Sequence, residues 1–241
     1  MTIKGIKSKA NDFLDEILFF IYKSFLQPSM PRFGAYLRKV SSFYKLCFNS
    51  SGIPMRYSFK KLIFHPMYPV YVVNDYLGQY ESNPNSELKK AIICIIDGAL
   101  EYFHEDREKM VFWYEPDMGI GAWSHRYYSG LTQAHYCSVL QRAAIMFNRK
   151  DLAHKAKKIF NSLLIPCDSG GVYFYDGSIV SIEEIPTSPA SLVLNGWLSI
   201  IDDIQSYYSL SEDLEAKNLL ERTVGSLETL LPLYDAEYLK N

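Results

Sequence analysis

Apolar and polar positions follow the period of an α-helix over most of this chain, and the helical stretches come in pairs. Residues 70–79 turn at Ser82-Asn83-Pro84-Asn85 into residues 87–103, residues 131–147 turn at Asn148-Arg149-Lys150-Asp151 into 152–164, and residues 192–208 turn near Ser211 into 214–231. In each pair the second helix is amphipathic. In the last, Leu219, Leu220, Val224, Leu227 and Leu231 share one face and Lys217, Glu221 and Glu228 the other. The first helix of each pair is more apolar and richer in small residues, so an inner layer covered by an outer one is expected. Hairpins repeating about every 60 residues build either an α/α-toroid or an irregular helical bundle, and periodicity alone leaves both open.

Two aromatic, glycine-punctuated segments interrupt the helices with strand-like pattern. The first runs from Lys109 through Trp113 to Trp123; the second, 169–180, carries Tyr173 and Tyr175 and a hairpin signal at Asp176-Gly177. Each leads into a first helix, so Trp113, Trp123, Tyr127, Tyr128, Tyr173 and Tyr175 are expected to line one cleft. An aromatic face suits the apolar C–H face of a pyranose, although with 19 tyrosines and 14 phenylalanines most rings here serve packing.

The N-terminus begins with Lys4, Lys7 and Lys9 and then the apolar run Ile17 to Ile21. Asp12, Asp15, Glu16 and Lys23 flank that run, and it is far short of the roughly 20 residues that cross a bilayer. It reads as a helix packed on the domain, or one lying in a membrane interface with Phe13, Ile17, Phe20 and Phe25 inward, a peripheral membrane contact. Residues 1–60 are expected to form an N-terminal helical extension and residues 61–241 the hairpin domain.

At 48% hydrophobic and 22% charged, the chain can bury a sizeable core. A net charge of -2 gives no global footprint for nucleic acid, so nucleic-acid partners are not expected. Cys47, Cys94, Cys137 and Cys167 are widely spaced with no CxxC pair, which favours free thiols and a reducing, cytoplasmic setting. No histidine or acid pair has metal-ligand spacing, and no cofactor is implied. His135 reads as a structural histidine.

Chemistry concentrates where Glu183-Glu184-Ile185-Pro186-Thr187-Ser188-Pro189 runs into Ala190-Ser191-Leu192-Val193-Leu194-Asn195-Gly196-Trp197. The prolines predict an extended approach, with Ser188 capping a helix that starts at Pro189 and carries Asn195 about two turns in. The run EEIPTSPASLVLNGW resembles the EEYPTTPSSFVLNGF pattern of the D-glucuronyl C5-epimerases, with Ile185 where that family has a tyrosine. Arg126 to His135 is similar to its WYSAMAQGQAIS region, Val139 to Ala143 to the helix that follows, and Leu231 to Asp235 to its LPLYD. The family pattern continues beyond LPLYD through TIYDLRH and WDYH motifs that these 241 residues do not contain. The expectation is therefore a shortened C-terminal epimerase domain on an incomplete α/α-toroid. The N-terminal helices or a second copy in a homodimer would close its ring.

The resemblance implies inversion of C5 in glucuronate residues of a polysaccharide, by removal of a carbon-bound proton and its return to the opposite ring face. Adjacent residues of an extended segment point to opposite sides, so only one of Glu183 and Glu184 can enter the cleft. By resemblance Glu184 is the base, the other reading being an acid pair that favours a helix dipole. Tyr128 is the candidate acid, and Tyr127, Tyr173 and Tyr175 are platform or acid. Asn195 and Gln133 would position the sugar, with Trp113 and Trp123 as further walls. A lyase beginning with the same proton abstraction, a glycoside hydrolase pairing Glu184 with Glu115 or Asp117, and a non-catalytic glycan-binding protein remain alternatives.

Overall fold

A computed structural model describes residues 14–58, 60–118, 120 and 124–234 of the chain. It is mainly helical, with small antiparallel sheets, and packs into two compact units that divide between Tyr102 and Phe103.

In the first unit, helix α1 (residues 14–21) runs into a π turn at Tyr22–Leu26 and is followed by α2 (Ala35–Val40). Phe19 is buried and packs with Cys47 and Tyr57, joined by Leu18, Tyr22 and Leu62. Ile17, Phe20 and Phe25 face outward and are exposed, while Phe13 lies outside the described residues. No described helix is long and apolar enough to cross a membrane. Strands β1 (Leu46–Phe48), β2 (Pro54–Ser58) and β3 (Lys61–Ile63) form an antiparallel sheet with Leu46 opposite Arg56 and Tyr57 opposite Leu62. The N-terminal 60 residues are thus not helical throughout, and a boundary after residue 60 would cut β2 from β3. The first predicted hairpin follows as α3 (Met67–Ser82) and α4 (Ser86–Leu100), with the Asn85 side chain accepting the Leu88 amide as N-cap.

The second unit holds the other two hairpins, α5 (Gly130–Phe147) with α6 (Lys150–Ser162) and α7 (Leu194–Ser211) with α8 (Leu214–Leu230). Helix α5 packs against α6 and against α7, and α7 against α8, giving the row α6-α5-α7-α8. The most deeply buried helix of this row is α5, and α6 turns Leu152, Ala156, Ile159 and Phe160 inward with lysines outward, as the inner and outer patterns predict. Between α5 and α7 the His135 Nδ1 pairs with the Asp203 carboxylate, and burial holds the Asp203 pKa above its ordinary value. The strand-like segments form two ribbons: β4 (His104–Glu105) with β5 (Met110–Val111), and β6 (Tyr173–Tyr175) with β7 (Val180–Ile182). The second turns where expected. Asp176 Oδ1 accepts the Ser178 and Ile179 amides at 2.9 and 2.7 Å, and Gly177 takes φ +97°.

Candidate functional site

The strand β7 delivers Glu183 into the protein. Its carboxylate is buried and accepts the Ser191 amide at 2.7 Å, the Ser191 hydroxyl at 2.8 Å, the Leu192 amide at 3.4 Å and the Ser181 hydroxyl at 3.2 Å. Its amide donates to the Val172 carbonyl and its carbonyl accepts the Gly130 amide, locking the end of β7 to β6 and to the start of α5. This arrangement corrects the predicted helix. Because the Ser191 and Leu192 amides go to Glu183, and Leu192 sits at φ +47°, α7 starts at Leu194 rather than Pro189. Asn195 is consequently in the first turn of α7 and exposed, not two turns in. The Tyr234 hydroxyl donates to the Leu192 carbonyl, so the Leu-Pro-Leu-Tyr turn braces the same loop.

Glu184 has the opposite fate. It is half-buried, and its carboxylate lies against Gly196, where a Cβ would fall on Oε2 and 3.1 Å from the Glu184 Cβ. Glycine is needed there for close approach. The acid is thereby held beside the first turn of α7, at the positive end of the helix dipole. The alternation that sends only one acid of the pair inward is present, and Glu183 is the one that turns into the protein.

A cleft of about 910 Å³ opens beside this loop. Tyr173 and Tyr175 on β6 form one wall and the stretch 186–190 another, with His125, Cys167 and Asp168 contributing polar edges. Burial, together with the charges of Glu183 and Asp168, pushes the Cys167 thiol up to about 11, so it stays protonated at neutral pH. The Arg222 guanidinium of α8 lies 5.8 Å from the Tyr173 ring centre and 5.5 Å from that of Tyr175.

Of the sequence-predicted site residues only Tyr173 and Tyr175 line this cleft; Glu184 and Asn195 are not among its lining residues, and neither are the rest. Tyr128 is buried, donates its hydroxyl to the Ser162 carbonyl at 2.8 Å and has its pKa raised by burial. Trp113 packs edge-on against Tyr128 at 5.3 Å and carries the Arg126 guanidinium 4.1 Å from its own ring centre; Arg126 in turn pairs with Glu115 at 2.9 Å. Tyr127 is buried and stacked on Tyr114 at 5.1 Å. Gln133 is fully buried: its carbonyl accepts the Phe112 amide, and its NH₂ donates to the Met110 carbonyl and the Ser162 hydroxyl. Trp123 and the Asp117 side chain lie outside the described residues. Sequence reasoning missed His125, Cys167, Asp168 and Arg222, which no local pattern marks. The anchoring role of Glu183 had a signal in the serine that follows it by eight residues, but only the loop geometry reveals it. Among the described residues no cluster of histidine, cysteine and acid side chains is arranged to hold a metal ion.

These features define a helical-hairpin domain with a tyrosine- and proline-walled cleft beside a loop that Glu183 anchors ahead of a helix. The family described as D-glucuronyl C5-epimerase C-terminus matches residues 107–240, more than half of the chain, and the chain belongs to that family. A D-glucuronyl C5-epimerase of Caenorhabditis elegans is 35% identical over 121 residues, covering 45% of this chain. The match spans only 20% of that relative's length.

Proposed function

We propose that this chain carries the proton-abstracting and sugar-binding part of a uronate C5-epimerase acting on glucuronate residues of a polysaccharide. Family membership supplies the reaction class, and one observation supports the assignment of roles: the acid pair is divided, Glu183 holding the loop and Glu184 standing half-exposed against Gly196. In this reading the C5–H bond breaks toward Glu184 and its electrons pass into the sugar carboxylate as an enolate. A proton then returns to C5 from the opposite ring face. With Ile185 where the family has a tyrosine, that proton would come from the cleft wall, for which Tyr173 is the candidate, since the Tyr128 hydroxyl is engaged by Ser162. The enolate needs cations or donors around it, and the Arg222 guanidinium, set over the Tyr173 and Tyr175 rings, is a cation that supports such a role. The row α6-α5-α7-α8 would be one arc of an α/α-toroid that further helices complete.

The test is NMR of a glucuronate-containing polymer in deuterium oxide. C5 deuteration by the wild-type chain that disappears in Glu184→Gln supports the assignment, whereas exchange that survives the substitution removes Glu184 as base. A second reading, glycan binding without turnover, is favoured by Ile185 alone. It would give binding with no exchange in either protein.

A further inference from the structure

The first compact unit contains an aromatic groove that the epimerase reading does not use. Two depressions of about 330 and 460 Å³ run together, sharing Tyr44, Tyr68 and Tyr71. Their rings are held in a connected wall: Phe43 meets Tyr44 edge-on at 5.1 Å, Tyr44 meets Tyr68 at 6.4 Å, and His65 stacks on Tyr68 at 5.2 Å. The Tyr68 hydroxyl donates to the Tyr44 carbonyl at 2.7 Å and fixes the junction. Yet the wall is open to solvent, with Phe43 83% exposed and both Tyr44 and Tyr71 41% exposed. Large aromatic faces left uncovered but already oriented are what a ligand with apolar faces requires, because little side-chain freedom is lost on binding.

The charges in the groove select the ligand further. Arg56, exposed on β2, lines it beside His65 and Tyr68, and among the described residues no carboxylate pairs with Arg56. The neighbouring cation, Lys45, is already bonded to Asp15 and Glu16 at 3.1 Å each. The acid on the far side, Asp75, is also engaged, accepting the Gly34 amide at 2.8 Å and the Gln79 side chain at 2.9 Å. His65 is partly buried beside Arg56, and these two causes, desolvation first, bring its pKa down to about 4, so it adds no charge at neutral pH. One guanidinium is left facing the groove next to the aromatic wall. Its planar fork matches a carboxylate through two parallel hydrogen bonds.

We propose that this groove is a second saccharide site, binding an acidic sugar residue with Arg56 on its carboxylate and Tyr44 and Tyr71 against its ring faces. It rests on the reading that the chain handles a glucuronate polymer, and it would hold a stretch of that polymer apart from the residue being epimerised. The experiment is a calorimetric titration of the full chain, in the Glu184→Gln background to prevent turnover, with a glucuronate-containing oligosaccharide and with a neutral oligosaccharide of equal length. The variants are Arg56→Gln and Tyr71→Ala, each checked for an unchanged urea midpoint. Arg56→Gln is expected to weaken the acidic ligand about tenfold and leave the neutral one unaffected, and Tyr71→Ala to weaken both. Equal binding of both ligands, or acidic binding indifferent to Arg56→Gln, overturns the proposal. So does an Arg56-dependent response to anionic lipid vesicles, or an Arg56-dependent self-association, without saccharide binding. C5 deuteration is read in parallel on the chain with Glu184 intact. Its absence alongside Arg56-dependent binding would remove the epimerase reading and leave this site standing.

Discussion

Glu183 accepts four hydrogen bonds inside the protein, whereas Glu184 accepts none from the loop and leans on Gly196. The two acids should therefore respond differently to the same change. Glu183→Gln replaces an oxygen that accepts two amides and a hydroxyl with an NH₂ or forces the side chain to turn, and is expected to cost about 1–3 kcal/mol in urea unfolding. Glu184→Gln leaves no buried donor unmatched and should stay within about 0.5 kcal/mol of wild type. A sharper test of position is Gly196→Ala. Alanine is the better helix former by about 1 kcal/mol, so α7 should persist by circular dichroism. Its methyl would nevertheless displace the Glu184 carboxylate, and under the proposed role of Glu184 as base C5 exchange should fall by about 10- to 100-fold, a misplacement effect. Unchanged exchange in that variant would show that the carboxylate's seat on Gly196 does not matter to catalysis.

The hairpins were legible because their signals are local. Helical periodicity and the polar turns at Asn83–Asn85 and Asn148–Asp151 act within a few residues, and the observed helices α3 to α6 begin and end near them. The start of α7 was not legible. A proline at a first helical position is a sound local cue, but it lost to the carboxylate six residues before it, which claims the Ser191 and Leu192 amides. The same reason hides Gln133, whose partners Met110 and Phe112 on one segment and Ser162 on another are both distant in sequence. Element ends also carry measurable energies. Glu212 closes α7 at φ +55°, a conformation that costs a side-chain-bearing residue about 1 kcal/mol, so Glu212→Gly should raise the unfolding free energy measured in urea by that order. Asp213 caps α8 and bonds Lys157 of α6 at 2.6 Å. Burial tends to raise the Asp213 pKa, but the hydrogen bond and charge of Lys157 outweigh it and hold the group below its ordinary 3.8. A lowered folded-state pKa means that the stabilisation is present above about pH 4 and is lost as pH falls through the folded value. Asp213→Asn should therefore flatten the acid limb of the stability profile below about pH 4 while leaving most of the cap in place.

At the scale of the whole chain, the division between compact units and the reach of the family agree. The family match begins at residue 107, just past the point where the packing divides, and adjacent aromatic residues mark that point. Tyr102 stacks on Phe64 of the first unit at 3.7 Å, whereas Phe103 packs on Phe112 and Tyr136 of the second. Each unit therefore closes its own aromatic core at the boundary. The second unit also contains every contact that shapes the cleft: the β6–β7 ribbon, the Glu183 loop, the Tyr234 brace and the Arg222 contact all join residues beyond 103. A core of this composition, with two complete hairpins around the buried α5, satisfies its own apolar faces well enough to fold as a unit. A fragment of residues 103–241 should accordingly unfold in one cooperative transition and keep the helical circular dichroism of four long helices. A fragment divided after residue 60 would separate β2 from β3, breaking a sheet rather than a linker, and its unfolding should lose cooperativity in the N-terminal part. Urea titrations of both fragments beside the full chain distinguish the two divisions. If the 103–241 fragment unfolds without a transition, the cleft depends on residues before 103 and the boundary is misplaced.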